Sequence, residues 1–375
     1  MSHSIGRRPL LAALPVASAL IGTAHAGGDP LKVQKATFTA KNFKLVSGTV
    51  MPEITIAYET YGTLAPDGRN AVLLTHGYTS SQHMAGRAGA NGAEGSWDGL
   101  VGSGKAIDTD RRFVVSSNML GSSYGSTNPA FTNPATGKPY GPDFPDISLV
   151  DIVNAQKALL DHLGVKHLVA VAGPSFGGYQ TYQWGVTYPD FMDGLVAVVS
   201  APKGSGGEAA VKSLVDSLAK DPNWNGGWYY DKGGVSGILT EMRIATLRRY
   251  GIDEQLAAKF PDKDAREAEI KKRAESWSKA FDANSLVVLR KASVRFDAEK
   301  DMPKIKAKVL YVLSRTDKLF PPTIAPDVMA KLKAAGVSAD YFEIDSDFGH
   351  SASGLDAAKW APRLKAFMAT LEKRS

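Results

Sequence analysis

Short apolar runs recur along the chain and are separated by loops or by segments whose apolar residues repeat with a helical period. Six of these runs lie at residues 71–75, 113–116, 167–172, 195–200, 309–313 and 341–344. Because they are nearly continuous in Val, Leu and Ala rather than alternating with polar residues, they are typical of parallel strands buried on both faces. Between two of them, residues 151–163 have a helical spacing of apolar positions. This rhythm predicts an α/β fold with a mostly parallel sheet that helices cover on both faces.

Two further patterns predict how the sheet ends. Residues 43–46 and 54–58 flank a Ser-Gly pair, which indicates an antiparallel hairpin at one edge. We expect a final helix to close the sheet at its other end, and its apolar face consists of Trp360, Leu364, Phe367 and Leu371.

The segment from about residue 203 to residue 300 breaks this rhythm, because it is helical in pattern and more polar. It is too long for a simple connection between two strands. We therefore expect it to form a helical cap over the ends of the strands. Its clustered aromatic residues either pack the cap against the core or form the wall of a pocket; they are Trp224, Trp228, Tyr229 and Tyr230.

Composition removes several classes of protein. The chain has 375 residues, of which 43% are hydrophobic and 22% charged, and this is ordinary for a globular protein. It contains no cysteine, which excludes disulfides, thiolate metal sites and a cysteine nucleophile. Its net charge of +6 is not concentrated in a basic stripe, so we expect no nucleic-acid partner.

The first 26 residues have the pattern of an export signal. Arg7 and Arg8 precede an apolar run over residues 9–23, and residues 24–26 (AHA) fit a cleavage site between small residues. The run is too short to indicate a membrane span. The paired arginines are typical of a twin-arginine signal, with an ordinary Sec signal as the alternative. We expect an exported protein, periplasmic or secreted, whose mature chain of residues 27–375 has no membrane attachment.

Two Gly-x-Ser-x-Gly motifs compete for the role of nucleophile. The second, centred on Ser175, follows an apolar run and precedes residues 179–188, which can form a helix. A strand, a sharp turn and a helix are the context that a nucleophile elbow requires. The first motif, centred on Ser123, runs into several prolines and is expected to be a loop. We therefore predict that Ser175 is the nucleophile of an α/β-hydrolase fold.

A serine hydroxyl needs a base to remove its proton, and histidine is the usual base. In this fold an acid and then the histidine follow the serine along the chain. His3 and His25 belong to the signal, and of the remaining histidines only His350 follows Ser175. His350 lies in a loop between the last apolar run and the final helix, so we predict that it is the base.

The acid must orient the imidazole and stabilise its charged form. Asp317 follows the run at 309–313, at the carboxyl end of a predicted strand, and is our choice. Asp345 and Asp347 are the alternatives, but they share the loop of His350 and could not easily reach its far ring nitrogen.

The tetrahedral intermediate needs hydrogen-bond donors aimed at its oxygen. We predict the backbone N–H groups of Phe176 and of Tyr78, which lies in the loop after the run at 71–75. His76 is then expected to brace that loop. We expect no metal, because His76 and His83 have no acidic neighbour that would complete a site, and no cofactor, because no Gly-rich phosphate loop follows a strand.

Several stretches together resemble the homoserine O-acetyltransferase family of α/β hydrolases along nearly the whole mature chain. The matching stretches are 56–64 (IAYETYGTL), 104–110 (GKAIDTD), 118–121 (NMLG) with 125–127 (GST) and Pro129, 173–178 (GPSFGG), 281–285 (FDANS) and 317–321 (DKLFP). The resemblance implies a triad of Ser175, Asp317 and His350, and a homodimer formed through the cap.

Family members move an acetyl group from acetyl-CoA through the serine to homoserine. They hold that amino acid with a cap arginine and with an aspartate directly after the catalytic histidine. The resemblance assigns the arginine to Arg243, but Ser351 stands where the aspartate is expected. Without this carboxylate, the ammonium group of homoserine has no partner. The predicted export also argues against transfer, because acetyl-CoA is a cytoplasmic metabolite.

We therefore expect an exported hydrolase of carboxylic esters that acts on a small-molecule ester substrate. Acyl transfer to a hydroxyl acceptor is an alternative, and a non-catalytic binding protein is another. Arg243 is expected to select substrates that carry a carboxylate or another anionic group.

Overall fold

A computed structural model describes residues 31–87 and 92–371 of the chain, so the predicted signal, residues 1–26, lies outside the described residues. The strands are β1 Gln34–Lys44, β2 Val50–Tyr61, β3 Ala71–Thr75, β4 Val101–Gly102, β5 Ile107–Asp108, β6 Phe113–Ser117, β7 Thr132–Asn133, β8 Lys138–Pro139, β9 Leu168–Pro174, β10 Met192–Val198, β11 Lys308–Ser314 and β12 Ala339–Ile344. The α-helices are α1 Leu149–His162, α2 Phe176–Thr187, α3 Gly207–Leu218, α4 Ser236–Arg249, α5 Ile252–Ala257, α6 Lys263–Ser278, α7 Ala283–Val294, α8 Ala325–Ala334, α9 Ala352–Leu355 and α10 Ala357–Leu371.

Eight of the strands form one sheet in the order β1-β2-β6-β3-β9-β10-β11-β12. From β6 to β12 all neighbours are parallel, while β2 is antiparallel to both β1 and β6. The predicted mostly parallel α/β sheet is thereby confirmed. The edge hairpin is also confirmed, but its strands are longer than the apolar runs indicated, because β1 is exposed along most of its length and so needs few apolar residues.

The continuous apolar runs supply two cores, one on each face of the sheet. Alternate residues of one strand contribute to different cores, as Leu195 and Ala197 do on one face and Val196 and Val198 on the other. Helices α1, α2 and α8 cover the first face, and α10 covers the second. Because both faces are covered, no polar alternation is needed within the central strands.

The final helix does not close the end of the sheet as expected. Its residues Trp360, Leu364 and Phe367 belong to the same core as Val196, which lies in a central strand. Helix α10 therefore lies on a face of the sheet, and β12 remains its last strand. A helical apolar stripe indicates only that one side of the helix is buried. Packing on a face of the sheet or at its end would bury that side equally well.

Five helices, α3 to α7, lie between β10 and β11, and we call residues 199–307 the helical insertion. Its aromatic cluster packs internally: Trp224 stacks on Tyr229 with ring centroids 5.6 Å apart, and Tyr229 stacks on Tyr230 at 4.5 Å. Tyr230 also donates a hydrogen bond to Asp282 at 3.0 Å. These three rings therefore pack within the insertion rather than between the insertion and the core, and Trp228 is partly exposed. Across residues 31–87 and 92–371, no helix is both long and apolar enough for a membrane span.

Candidate active site

The second Gly-x-Ser-x-Gly motif forms a sharp turn between β9 and α2. Ser175 has φ +57° and ψ −121°, a conformation that costs a residue with a side chain about 1–3 kcal/mol. A Cβ atom on Gly173 would lie 2.4 Å from the carbonyl oxygen of Thr75, and one on Gly177 would lie 2.3 Å from the same atom. The flanking glycines are therefore required by the close approach of β3, and the turn presents Ser175 at the carboxyl end of β9.

Asp317 and His350 are brought together although 33 residues separate them. His350 Nδ1 lies 2.8 Å from Asp317 Oδ2, and both side chains are buried. The other carboxylate oxygen of Asp317 accepts the N–H of Leu319 at 2.8 Å and that of Phe320 at 3.3 Å. A buried carboxylate held in this way fixes the ring orientation and leaves Nε2 of His350 as the free edge of the imidazole.

The two alternative acids point elsewhere. Asp345 accepts a hydrogen bond from Arg315 Nε at 2.7 Å, and Asp347 accepts one from Arg315 Nη2 at 2.6 Å. Both carboxylates are exposed. They therefore form a surface ion pair with Arg315 and do not contact His350.

Aromatic rings enclose the imidazole of His350 from two directions. Tyr250, at the end of α4, lies with its ring centroid 4.9 Å from that of His350. Phe320 stacks at 5.8 Å with an interplanar angle of 24°. Since Tyr250 belongs to the helical insertion and Phe320 to the loop after β11, the ring of His350 is held by both parts of the molecule.

The residues of both predicted oxyanion donors lie close to Ser175. Phe176 is the first residue of α2, so its N–H is one of those that a helix leaves without an intrahelical acceptor. Tyr78 follows Gly77, and a Cβ atom added to Gly77 would lie 3.7 Å from the Cβ of Ser175. The loop after β3 therefore passes beside Ser175, which the predicted role of Tyr78 requires.

Ser175 and His350 open onto one cavity of about 280 Å³. Residues from the loop after β3, from the helical insertion and from the segment after β12 form its walls. The lining residues are Gly77, Tyr78, Thr79, Ser80, Met84, Ser96, Trp97, Pro174, Ser175, Arg243, Leu247, Tyr250, Gln255, His350, Ser351, Ser353, Gly354 and Leu355. No carboxylate is among these described residues, and Arg243 is the permanent cation.

Arg243 reaches this cavity from α4. Its Nη1 donates a hydrogen bond to Thr79 Oγ1 at 2.8 Å, and its guanidinium lies 5.0 Å from the ring centroid of Trp277. Among the residues that the structure describes, its buried Nε has no hydrogen-bond partner and its charge has no carboxylate partner. Burial lowers the pKa of Arg243. Because an arginine side chain keeps its proton in proteins, a positive charge faces the cavity.

Two residues that the sequence singled out have structural contacts instead. Ser123 is buried in a loop, and its hydroxyl accepts the N–H of Asp282 at 2.9 Å. His76 is fully buried, with Nε2 2.7 Å from Asn118 Oδ1 and Nδ1 2.9 Å from the carbonyl oxygen of Gly77. His76 therefore braces the loop after β3, as expected. Within the described ranges, no three His, Asp or Glu side chains are grouped so that they could hold a metal ion.

The sequence assigned Arg243 to the site, but it predicted neither Trp277 nor the contact of either residue with this loop. Thr79 is contacted by Arg243 and by Trp277, whose Nε1 donates a hydrogen bond to the Thr79 carbonyl oxygen at 3.1 Å. Trp277 is 198 residues from Thr79 along the chain, and no local pattern marks such a pair. The one signal in the sequence that could have pointed to Trp277 is that this large aromatic residue lies in a polar helix.

Comparison with known proteins gives two kinds of match. A family model of the alpha/beta hydrolase fold matches residues 70–357. A homoserine O-acetyltransferase of Methanosalsum zhilinae is 37% identical over 341 residues, which is 85% of this chain and 69% of that protein. A homoserine O-acetyltransferase of Haemophilus influenzae is 37% identical over 347 residues, which is 88% of this chain and 96% of that protein.

Solved structures of two kinds are also similar. Esterase E22 matches with a TM-score of 0.83 and 29% identity, over 90% of this chain and 100% of that chain. A homoserine O-acetyltransferase from Bacillus anthracis matches with a TM-score of 0.81 and 27% identity, over 90% of this chain and 97% of that chain. The fold is therefore similar to a protein named as an esterase and to one named as a transferase.

Proposed function

The chain belongs to the homoserine O-acetyltransferase-like α/β hydrolases, and on this premise we propose that it is an exported serine hydrolase of small carboxylic esters. The observation that carries the proposal is the common cavity that Ser175 and His350 both line, with the buried Asp317 behind His350 at Nδ1. A strained serine and a histidine that a buried carboxylate orients, both lining one cavity, are the groups from which an activated nucleophile is built.

In the proposed reaction, Oγ of Ser175 attacks the ester carbonyl carbon while Nε2 of His350 takes the hydroxyl proton. Asp317 stabilises the imidazolium through its hydrogen bond to Nδ1, which is 2.8 Å long. The backbone N–H groups of Phe176 and Tyr78 stabilise the negative oxygen of the tetrahedral intermediate. His350 then returns the proton to the departing alcohol, and a water molecule releases the acid from the acyl-serine by the same steps.

Acyl transfer from acetyl-CoA to a hydroxyl acceptor is the second candidate, which the names of the curated relatives favour. Against it stands the wall of the cavity, where Ser351 replaces the aspartate that the resemblance implies and where no carboxylate is available for an ammonium group. The proposed export weighs in the same direction, because an acyl-serine outside the cytoplasm meets water rather than a supply of acetyl-CoA.

The two candidates are separated by assaying the purified mature protein with p-nitrophenyl acetate and, separately, with acetyl-CoA and homoserine. We expect ester hydrolysis and no efficient transfer. Ser175→Ala should reduce hydrolysis by about 10³-fold or more, whereas Ser123→Ala, in the other Gly-x-Ser-x-Gly motif, should retain it. Efficient transfer with negligible ester turnover would contradict the proposal, and full activity of Ser175→Ala would contradict the nucleophile.

The unpaired charge of Arg243 supports a narrower substrate class. A guanidinium with no carboxylate partner in the described chain, beside a cavity of about 280 Å³, suits a small ester that carries a carboxylate or another anionic group. The Trp277 ring below the guanidinium supports its orientation toward the cavity.

A further inference from the structure

The loop after β3 is held from the side of the sheet at its base. His76 Nε2 lies 2.7 Å from Asn118 Oδ1, and Gln180 Nε2 donates a hydrogen bond to the carbonyl oxygen of His76 at 3.1 Å. Both partners are buried; Asn118 follows β6 directly and Gln180 lies in α2. These bonds fix where the loop leaves the strand, but they end before its tip at Tyr78 and Thr79.

The tip of the loop is held from the opposite side by the helical insertion. The side chain of Arg243 donates to Thr79 Oγ1 at 2.8 Å, and Trp277 Nε1 donates to the Thr79 carbonyl oxygen at 3.1 Å. The Tyr78 hydroxyl donates to the carbonyl oxygen of Leu286 at 2.5 Å. Three different helices, α4, α6 and α7, therefore contact two consecutive residues.

The arginine that binds Thr79 also lies near the tyrosine that packs on His350. Arg243 and Tyr250 line the same cavity. Burial raises the pKa of Tyr250, and the charge of Arg243 opposes that rise. The ring centroid of Tyr250 lies 4.9 Å from that of His350. The partner of the Thr79 hydroxyl is thus close to the residue that packs on the proposed base.

This arrangement matters because a backbone N–H stabilises an oxyanion only if it points at the place where charge develops. The Tyr78 N–H belongs to the residue directly before Thr79, so a shift of the Thr79 backbone reorients it. Thr79 is 8% exposed, so there is little water to replace its partners if they are lost. A misplacement of about 1 Å at such a site can cost about 100-fold in rate.

We propose that Thr79 is a positioning residue through which the helical insertion sets the orientation of the Tyr78 N–H. The inference rests on the proposed function, since it concerns the oxyanion donor of that reaction. Thr79 itself does not contact the reacting atoms in this scheme. It acts through Tyr78, and its hydroxyl is the group to which Arg243 donates.

The test compares Thr79→Val, which keeps the shape and loses the hydroxyl, with Thr79→Ser, which keeps the hydroxyl. Thr240→Val is the matched control, because the hydroxyl of Thr240 in α4 likewise links two segments: it hydrogen-bonds to Ser236 O in α4 and to Ser278 Oγ in α6, at 2.8 Å each, and lies away from the loop. With p-nitrophenyl acetate, Thr79→Val is expected to lower kcat about 10- to 100-fold with KM nearly unchanged. Thr79→Ser and Thr240→Val are expected to stay within about threefold of wild type.

A second readout does not depend on whether the acyl group goes to water or to another acceptor. A fluorophosphonate reacts with Ser175 as the Oγ–P bond forms, fluoride leaves and His350 takes the hydroxyl proton, and the adduct is counted by mass spectrometry. The labelling rate of Thr79→Val should fall by a factor similar to that of kcat. Should Thr79→Val fail to fold, Trp277→Phe serves instead, because it removes the N–H donor to Thr79 and keeps an aromatic ring; we expect it to slow labelling at least about threefold.

The outcomes are distinct. If the wild-type protein is labelled and a folded Thr79→Val variant is labelled at the same rate, the inference is overturned and the proposed function stays intact. The same holds for Trp277→Phe where it replaces Thr79→Val. An equal loss in Thr79→Ser and Thr79→Val would also overturn it, since the hydroxyl would then not be the group that acts. No labelling of the wild-type protein would overturn the proposed function and this inference with it.

Discussion

At the scale of single residues, the strained serine and the unpaired arginine are the two features on which the proposed chemistry rests. Ser175 has positive φ, which only a few non-glycine residues of the described chain share, and such strain is concentrated at functional sites. Arg243 holds a charge in a wall that has no carboxylate. Both residues depend on neighbours far away in sequence, Ser175 on β3 and Arg243 on the loop that follows β3.

The role of Arg243 can be measured with a matched pair of esters, one neutral and one with a carboxylate on the same scaffold. Arg243→Ala should raise KM for the anionic ester and reduce its kcat/KM by about 10- to 100-fold, because a charge-assisted hydrogen bond is worth roughly 1.5–3 kcal/mol. The kcat/KM for the neutral ester should fall less, because only the loss of the hydrogen bond from Arg243 to Thr79 affects it. Equal rates on both esters, before and after the substitution, would contradict selection for anions.

A pH-dependent contribution to stability is expected from His83. Its Nδ1 lies 2.9 Å from Oε2 of the buried Glu59, whose carboxylate also lies 3.6 Å from Lys35. The hydrogen bond with Glu59 raises the pKa of His83 above 6.5. The contribution of the charged imidazole is therefore complete below pH 6.5 and is lost as the pH rises through the raised pKa.

Urea unfolding of wild type and His83→Gln at pH 5.5 and pH 9 tests this contribution. The loss of unfolding free energy should be about 1–2 kcal/mol at pH 5.5 and smaller at pH 9. His162→Gln provides the control, since His162 forms no ion pair in the described chain. An equal loss at both pH values would show that the charge of His83 contributes nothing.

At the scale of elements, the turn from β9 into α2 has no room for an added side chain at its glycines. Gly177 and Gly237 are each the second residue of a helix, α2 and α4. An added Cβ on Gly177 would lie 2.3 Å from the carbonyl oxygen of Thr75, whereas Gly237 has no atom within 4 Å. The two positions therefore separate the effect of space from that of helix propensity.

Gly177→Ala is expected to lower the free energy of unfolding by roughly 1–3 kcal/mol, because the added methyl overlaps backbone that cannot move aside. Gly237→Ala should leave it unchanged or raise it by about 0.5–1 kcal/mol through helix propensity. Denaturant unfolding of both variants measures the difference. If Gly177→Ala were as stable as Gly237→Ala, the close approach of β3 to the elbow would not be the reason for the glycine.

At the scale of the whole molecule, the sheet places every proposed catalytic group at the carboxyl ends of its parallel strands. Tyr78, Ser175, Asp317 and His350 all follow the carboxyl ends of parallel strands, namely β3, β9, β11 and β12. Ligands of open α/β sheets bind at these strand ends. The helical insertion follows the carboxyl end of β10 and supplies the remaining walls of the cavity.

The proposed export is also a property of the whole chain. Expressed with its own first 26 residues in a bacterial host, the protein should be recovered from the periplasm with an intact mass that begins at Gly27. Replacing both Arg7 and Arg8 by lysine should stop export if the signal is of the twin-arginine type and leave it unchanged if it is a Sec signal. Recovery of the full-length chain from the cytoplasm alone would contradict export.

The sequence by itself determined the sheet, the strand that leads into Ser175 and the order in which Ser175, Asp317 and His350 occur. These follow from local periodicity, from the glycines that a sharp turn requires and from the small number of histidines, all of which can be read without knowing what lies nearby. The sequence could not decide where the final helix packs, since its apolar stripe suits more than one surface.

Only the tertiary structure decided which residues of the helical insertion meet the loop after β3. Thr79 is 164 residues from Arg243 and 198 residues from Trp277. The local sequence around these residues does not predict either hydrogen bond. Periodicity reports which face of an element is buried, but a hydrogen bond between distant segments depends on how the elements pack. The unpaired charge in the cavity is decided in the same way, because a charge is unpaired only with respect to its neighbours in space.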